Sequence, residues 1–493
     1  MKKTHLRITL SGAVVLASVI SAGAAAASTG ARTSPPTCSP TWVSTSHSPI
    51  TLNFWEGMPK GIAGTSTSGN YGAIHALVQA FNTAEAGKIV VTDNNESGGY
   101  GQTWQDYKNS IATHTSPNVV MLDQYNAQSV ADLRTNSNQS TILPITTCLS
   151  ATHYATTAFL PKVIGAYTTG GKLVGMPFSA SVPVMYYNQQ AFTQAHITSA
   201  PKTMTQLLAD QKLLQKTFWM KGTVKTYYKY GISIKYDPWE ITTWLGLADQ
   251  LIVNNNNGHT SRTTKSVFNT ATAKSYLTSL QTIAKVGGGL NVYNPAATTI
   301  TSAYGNLFDV GNGFSGITFD TTAALGTIQD YLGLFHNVTL GVAPLPTLTG
   351  TDPGSMPSGG NGLFINSSNS SPAQQAAAWV FIQYLVSASK LASWDKSTGY
   401  LPIRTDEVSI WHASLTAQQY KWYFVGYNSL TKGKVDAATE GPMIGPYDAF
   451  NNHLASSLQA LLTSPFHTTP TAALNQATTN TNCDITTYNG GTC

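Results

Sequence analysis

Charge is what this sequence has least of. Asp, Glu, Lys and Arg make up only 10% of its 493 residues, and the formal net charge is +5. No basic run stands out beyond the first residues, so the electrostatic footprint of a nucleic-acid partner is missing and that class is set aside. Scarcity of charge does not imply disorder, because 42% of the residues are hydrophobic and such a chain buries enough apolar surface to fold. Few carboxylates also leave few native ion pairs for acid to break, so tolerance of low pH is expected.

Catalytic and metal signatures are lacking as well. There is no Gly-x-Ser-x-Gly elbow, no His-Glu-x-x-His and no Walker-type glycine loop. The eleven His are scattered, and none of the Cys/His spacings used by zinc occurs. No cofactor and no metal are therefore expected. A carboxylate pair among the 22 acidic residues would suit a secreted glycan-acting hydrolase. That is the competing reading from another functional class.

Long apolar runs are missing except at the start. Met1, Lys2, Lys3 and Arg7 precede an apolar stretch over 8–20 and small residues over 21–28. That order predicts a cleaved secretory signal over 1–28, and the apolar core is short of the roughly 20 residues that span a bilayer. Cys38 follows Pro-Pro-Thr, not an apolar lipobox, so a lipid anchor is not supported. Four cysteines remain, and export favours disulfides over free thiols. Connectivity stays open from sequence, but Cys483 and Cys493 close a short loop in a Gly-rich tail, so the expected pairs are Cys483–Cys493 and Cys38–Cys148.

What is present reads as a large α/β protein. A chain of this length exceeds one ordinary hydrophobic core, so two lobes are expected. A Ser/Thr/Pro-rich stretch over 29–48 reads as a flexible leader. Strand patterns at 50–55, 88–92, 118–122, 172–176 and 184–187 alternate with helical spacings at 73–81 and 203–216. The segment 374–388 is apolar all round and predicts a buried helix. No internal repeat is found. Aromatics in polar, Gly-rich surroundings (Trp55, Tyr100, Tyr236, Trp239, Trp244, Tyr400 and Tyr447) have the chemistry of a sugar site, which combines flat apolar faces with directional amide and hydroxyl groups.

Three segments together resemble the family 1 extracellular solute-binding proteins of ABC transporters, especially the branch with the glycerol-3-phosphate-binding protein. They are Gly171-Lys-Leu-Val-Gly-Met-Pro-Phe-Ser-Ala-Ser-Val-Pro-Val-Met-Tyr-Tyr-Asn188 followed by Pro201 and Thr203; Leu340-Gly-Val-Ala-Pro-Leu-Pro346 with Ser358-Gly-Gly-Asn-Gly-Leu-Phe-Ile365; and Ser397-Thr-Gly-Tyr-Leu-Pro-Ile-Arg404. The resemblance runs from about Ile50 to about Leu462. It implies a two-lobed periplasmic-binding-protein-like fold of the class II type, with crossovers near 181–183, 346–350 and 400–402. The lobes would comprise 49–182 plus 347–400 and 183–346 plus 401–480, with 481–493 as a C-terminal tail.

The resemblance further implies an extracytoplasmic monomer that captures a solute by lobe closure and hands it to an ABC permease, without catalysis. Carried over by position, the ligand-contacting residues are Tyr100, Gln124, Ser181, Tyr236, Trp239, Thr321, Gly360 and Tyr400. Gln124 falls where the branch has an acidic hydroxyl-binding residue. The branch's phosphate-binding Arg would fall near Met443, in Glu440-Gly-Pro-Met-Ile-Gly445, where there is none. A buried phosphate without a cation is costly, so a neutral sugar or oligosaccharide is expected over glycerol-3-phosphate or a glycerophosphodiester.

Overall fold

Hydrophobic alternation over the first strand buries Ile50, Leu52 and Phe54 on one face and opens the order of elements. In chain order come β1 (Ile50–Glu56), β2 (Ile89–Asn95), β3 (Val119–Asp123), β4 (Ile142–Leu143) and β5 (Met176–Ser181). These are followed by β6 (Pro183–Asn188), β7 (Tyr230–Lys235), β8 (Leu290–Tyr293), β9 (Ser315–Thr321), β10 (Leu340–Ala343) and β11 (Gly359–Asn366). The computed structural model describes residues 34–493 except 62–67, 97, 222, 228–229, 236, 287–289, 294–314, 335–337 and 351–355.

Two mixed sheets result, one in each lobe. The first runs β2-β1-β3-β11-β4, with β5 also paired to β11. Its β1, β2 and β3 are parallel, whereas β11 runs antiparallel to β3, β4 and β5. The second runs β8-β7-β9-β6-β10, with β7 parallel to β8 and β9, and β6 antiparallel to β9 and β10. Only Val182 separates β5 of one sheet from β6 of the other, and its carbonyl accepts from Thr322 N at 2.9 Å. The chain is in the second sheet at β10 and back in the first at β11, and Leu401 N donates to Ala180 O of β5 at 2.9 Å.

Local signals explain the helix starts. Thr203, Ser371 and Thr416 each cap a helix, and a Gln three residues on closes the reciprocal capping box. The helix Pro372–Leu385 buries Ala376, Ala377, Ala378, Trp379, Phe381, Ile382 and Leu385, as its all-round apolar pattern predicts. Phe381 packs against Phe54 and Phe81, with ring centroids 5.4 and 4.9 Å apart. The second core centres on Trp244, 5.7 Å from both Tyr276 and Phe319. Fully burying each such side chain contributes roughly 1.5–3 kcal/mol.

At the two ends the structure adds what the sequence pattern did not show. Residues 36–48, read as part of a flexible leader, are tied down. A short helix Thr41–Ser44 forms there, and Cys38 is buried in a disulfide with Cys148. The tail over 481–493 is mostly helix, because Pro470–Tyr488 runs through Cys483, which pairs with Cys493. Its Thr, Asn and Ala residues gave no strong periodic signal, and burial of Leu474, Ala477 and Ile485 decides the matter. The first disulfide spans 110 residues, for which chain-entropy arguments give about 4–5 kcal/mol. Cys38→Ala is accordingly expected to lower the melting temperature sharply in an oxidising buffer and to leave it unchanged in dithiothreitol.

Candidate functional site

Parallel strands present their carboxyl ends to a shared crevice, where α/β folds place ligands. In the first sheet β3 ends at Asp123, whose Oδ1 accepts from Tyr125 N at 2.9 Å and starts a single 3-10 turn, Gln124–Asn126. In the second sheet β7 leads to Asp237, whose Oδ1 accepts from Trp239 N at 3.0 Å and caps the helix Pro238–Leu247. Strand β9 ends at Thr321, whose hydroxyl accepts from Ala323 N at 3.2 Å. Three short polar caps thus stop three strands and aim the next residues at one cavity of about 430 Å³.

Aromatic rings wall that cavity: Tyr100, Tyr125, Trp239, Tyr400 and Tyr447. Tyr100 enters from the first turn of the helix Gly99–Thr113, which left-handed Gly98 and Gly99 allow to begin abruptly. Its hydroxyl bonds that of Tyr400 and accepts from Asn361 Nδ2 at 2.8 Å. Tyr400 lies flat on Trp394, with centroids 5.6 Å apart and planes at 14°. Tyr125 and Tyr447 stack at 4.8 Å and 7°, and Tyr125 Oη donates to Ser358 O at 3.0 Å. Gly360 holds φ +141, and a Cβ there would collide with Ser179 O, so no other residue fits this wall.

Six of the eight residues expected from sequence line this cavity: Tyr100, Ser181, Trp239, Thr321, Gly360 and Tyr400. Gln124 does not. It is buried and turned away, its Nε2 donating to Ser358 O and its Oε1 accepting from Ser358 Oγ. The 3-10 turn set by Asp123 rotates Gln124 inward and gives its place to Asp123 and Tyr125. Tyr236 lies outside the described residues. Of the wider aromatic set, Trp244 is core, with Nε1 donating to Pro346 O at 2.9 Å, and Trp55 packs against the first core. Met443 is buried, its carbonyl accepting from Thr263 Oγ1 at 2.9 Å.

Sequence reasoning missed the carboxylates Asp123, Asp237 and Asp448. The Asx-cap pattern of Asp123 and the Asp-Pro pair at 237–238 were the available local signals. Asp448 had none, since it acts across the cleft, accepting from Trp104 Nε1 at 3.0 Å, Gln105 Nε2 at 3.2 Å and Lys108 Nζ at 3.4 Å. Burial pushes Asp123 up to about 7, Asp237 and Asp448 add to the rise, and the Tyr125 N–H opposes it. Burial likewise raises Tyr100, Tyr400 and Tyr447. Among the described residues, no Lys, Arg or His lines the cavity. Cationic side chains stand just outside it: Lys108, 3.4 Å from Asp448, lines an adjoining recess with Arg134 and Arg262, and Lys172 lines a further one.

The sequence profile of a bacterial extracellular solute-binding protein family matches residues 76–427. The sn-glycerol-3-phosphate-binding periplasmic protein UgpB of Yersinia pestis is 26% identical over 323 residues, covering 65% of this chain and 69% of its own. Its counterpart in Pectobacterium atrosepticum is 28% identical over 251 residues, 50% of this chain and 52% of the other. Among solved structures, the GacH receptor of Streptomyces glaucescens, described with acarbose, superposes with a TM-score of 0.67 at 16% identity over 90% of this chain and 100% of that one. UgpB of Mycobacterium tuberculosis in complex with glycerophosphocholine gives 0.68 at 17% over 89% and 98%.

Proposed function

The chain belongs to the bacterial extracellular solute-binding proteins, and from that premise we propose that it captures a neutral sugar or oligosaccharide in the aromatic-walled cavity. It is a substrate-binding protein of the ABC-importer type and not an enzyme. Among the described residues no helix is long and apolar enough to cross a membrane. In our assignment, 49–182 with 347–400 and 183–346 with 401–480 form the two lobes, which close over the solute and present it, as a monomer, to a membrane permease.

The observation that carries the choice of ligand is the composition of the cavity wall: among the described residues it has five rings, hydroxyl and amide groups, three carboxylates and no cation. Rings stack on the apolar faces of pyranoses, and Asn126, Ser181, Thr321 and Asn451 offer directional partners for hydroxyls. Tyr100, Trp239, Gly360 and Tyr400 would form the wall against which the sugar lies. A phosphate would be desolvated beside carboxylates with the nearest cation, Lys108, already spent on Asp448, and an uncompensated phosphate costs several kcal/mol. The names of the Yersinia and Mycobacterium relatives nonetheless favour glycerol-3-phosphate or a glycerophosphodiester as the second reading.

Isothermal titration of the mature protein separates the two. Mono- and oligosaccharides are expected to bind one to one and to be recovered unchanged, with a micromolar Kd, about −8 kcal/mol. Glycerol-3-phosphate is expected to bind at least about tenfold more weakly, a difference of about 1.4 kcal/mol. A preference for the phosphate would overturn the sugar reading, and cleavage of a saccharide would overturn the assignment as a binding protein.

A further inference from the structure

Two carboxylates of the cavity keep an oxygen uncommitted. Asp123 and Asp237 each spend Oδ1 on a cap to a backbone N–H, at 2.9 and 3.0 Å, and among the described residues the second oxygen of each has no hydrogen bond. Asp448 is different, because Lys108 Nζ stands 3.4 Å away and compensates it. Asn361, fully buried beside the Tyr100–Tyr400 pair, adds an Oδ1 without a donor. Among the described residues Trp239 Nε1 is a buried donor without a partner in the same wall, so the cavity offers a solute two open carboxylate oxygens and one indole N–H. Around them stand aromatic faces, which attract cations through the ring quadrupole.

Two open carboxylate oxygens between aromatic faces suit a positive partner. A metal ion is a poor candidate for that partner. Among the described residues no group of three or more His, Cys, Asp or Glu is arranged to hold one. The volume of about 430 Å³ suits an organic solute. Asn126, Ser181, Thr321 and Asn451 in the wall call for hydroxyls on that solute.

We propose that the preferred ligand is an amino sugar whose protonated amine sits between Asp123 and Asp237, with its ring against the tyrosines and Trp239. This rests on the reading of the cavity as a sugar site and departs from it only in the charge of the preferred sugar. Neutral hydroxyls can donate to the same carboxylates, but they leave the charge uncompensated, whereas an ammonium both donates and neutralises. Asp123 shares its surroundings with Asp237, Asp448, Tyr125 and Tyr447, and Tyr100 and Tyr400 also face it. No base among them could serve as the partner. Below neutrality Asp123 holds a proton when the cavity is empty, and an arriving ammonium displaces it.

The test is titration of glucosamine, N-acetylglucosamine and glucose, together with chitosan disaccharide, chitobiose and cellobiose, at about pH 6. At least one amine is expected to bind about tenfold or more tighter than its acetylated and hydroxyl partners, about 1.4 kcal/mol. Its enthalpy should differ between buffers of different ionisation enthalpy, reporting proton release that the neutral sugars lack. Asp123→Asn and Asp237→Asn should each collapse the amine-to-neutral ratio, and melting curves show whether each variant folds. Neutral sugars binding as tightly as the amines would overturn this inference while leaving the sugar reading intact. Binding of glycerol-3-phosphate alone, or silence across the whole panel, would overturn both.

Discussion

The melting temperature of the purified protein is expected to be highest at about pH 4–5 and to fall as the pH rises towards 8. The cause is a set of carboxyl groups that the fold keeps from ionising. Asp395 and Glu407 are buried and face one another, and neither Asp395 oxygen nor Glu407 Oε1 finds a donor elsewhere. Two carboxylates so placed share a proton, so burial and then Glu407 hold Asp395 well above its ordinary range. Burial also raises Glu407, although its contact with Asp395 and the Arg404 backbone N–H oppose the rise. Tyr423 and Tyr427 border the pair and carry no positive charge. Arg404 is already bonded to Asp406 through Nε and Nη2, at 2.8 and 2.6 Å.

Glu56 belongs to the same set, pushed up by burial to about 7 despite hydrogen bonds from Met58 N and Asn95 Nδ2. A carboxyl raised on folding binds its proton in the folded state where the unfolded chain has lost it. Its stabilisation is therefore complete below about pH 4 and is lost as the pH passes through the folded value near 7. For Glu56 the rise from 4.5 to about 7 is worth on the order of 3 kcal/mol over that interval. Lys162, lowered by burial to about 7, acts in the opposite direction only above that pH. Melting curves from pH 4 to 8 check the slope, and Asp395→Asn should flatten it by removing the pair's proton requirement. A wild-type profile that rises from pH 4 to 7 would be incompatible with this account. Acid tolerance, read from sequence as a shortage of ion pairs, thus has a second and more specific source.

Tyr400→Ala is expected to weaken solute binding by about 100-fold, close to 3 kcal/mol, as for an aromatic at the centre of a desolvated site. The same change should cost about 3–5 kcal/mol of stability, because the ring fills the space between Trp394 and Tyr100 and leaves a cavity when truncated. Tyr400→Phe keeps the ring and loses only the hydroxyl pair with Tyr100, so a drop of roughly 3–10-fold is expected. Trp244→Ala provides the contrast: it should cost similar stability, since Trp244 is fully buried in the second core and absent from the cavity wall. Titration beside thermal melts tells the cases apart. Equal affinity in Tyr400→Ala and wild type would remove this cavity from consideration.

Much of the fold was legible because neighbours in sequence decide it. Capping boxes at Thr203 and Ser371, the buried helix after Pro372 and the strand alternation at β1 are all written within a few residues. That Tyr100, Ser181, Trp239, Thr321, Gly360 and Tyr400 would share one cavity wall was legible for a related reason, since resemblance matched whole stretches and carried these positions together. Gln124 failed because a one-residue rotation in the turn capped by Asp123 exchanged an inward for an outward side chain. The order around Cys38 was hidden by its Ser/Thr/Pro-rich neighbours, which say nothing of a partner 110 residues away.

By itself, then, the sequence determined the α/β class, the family, the positions of most elements and the aromatic, amide-rich character of the site, because each of these is set by local pattern or by a stretch matched as a whole. Only the tertiary structure brought Asp123, at the end of a strand of one sheet, together with Asp237, beyond a strand of the other, and Asp448, on the helix Tyr447–Leu462, and set Asp395 against Glu407. In both groups the carboxyls meet through packing and not through sequence spacing. The charge state of each depends on what burial removes and what the opposite element supplies, a balance that exists only once the chain is folded.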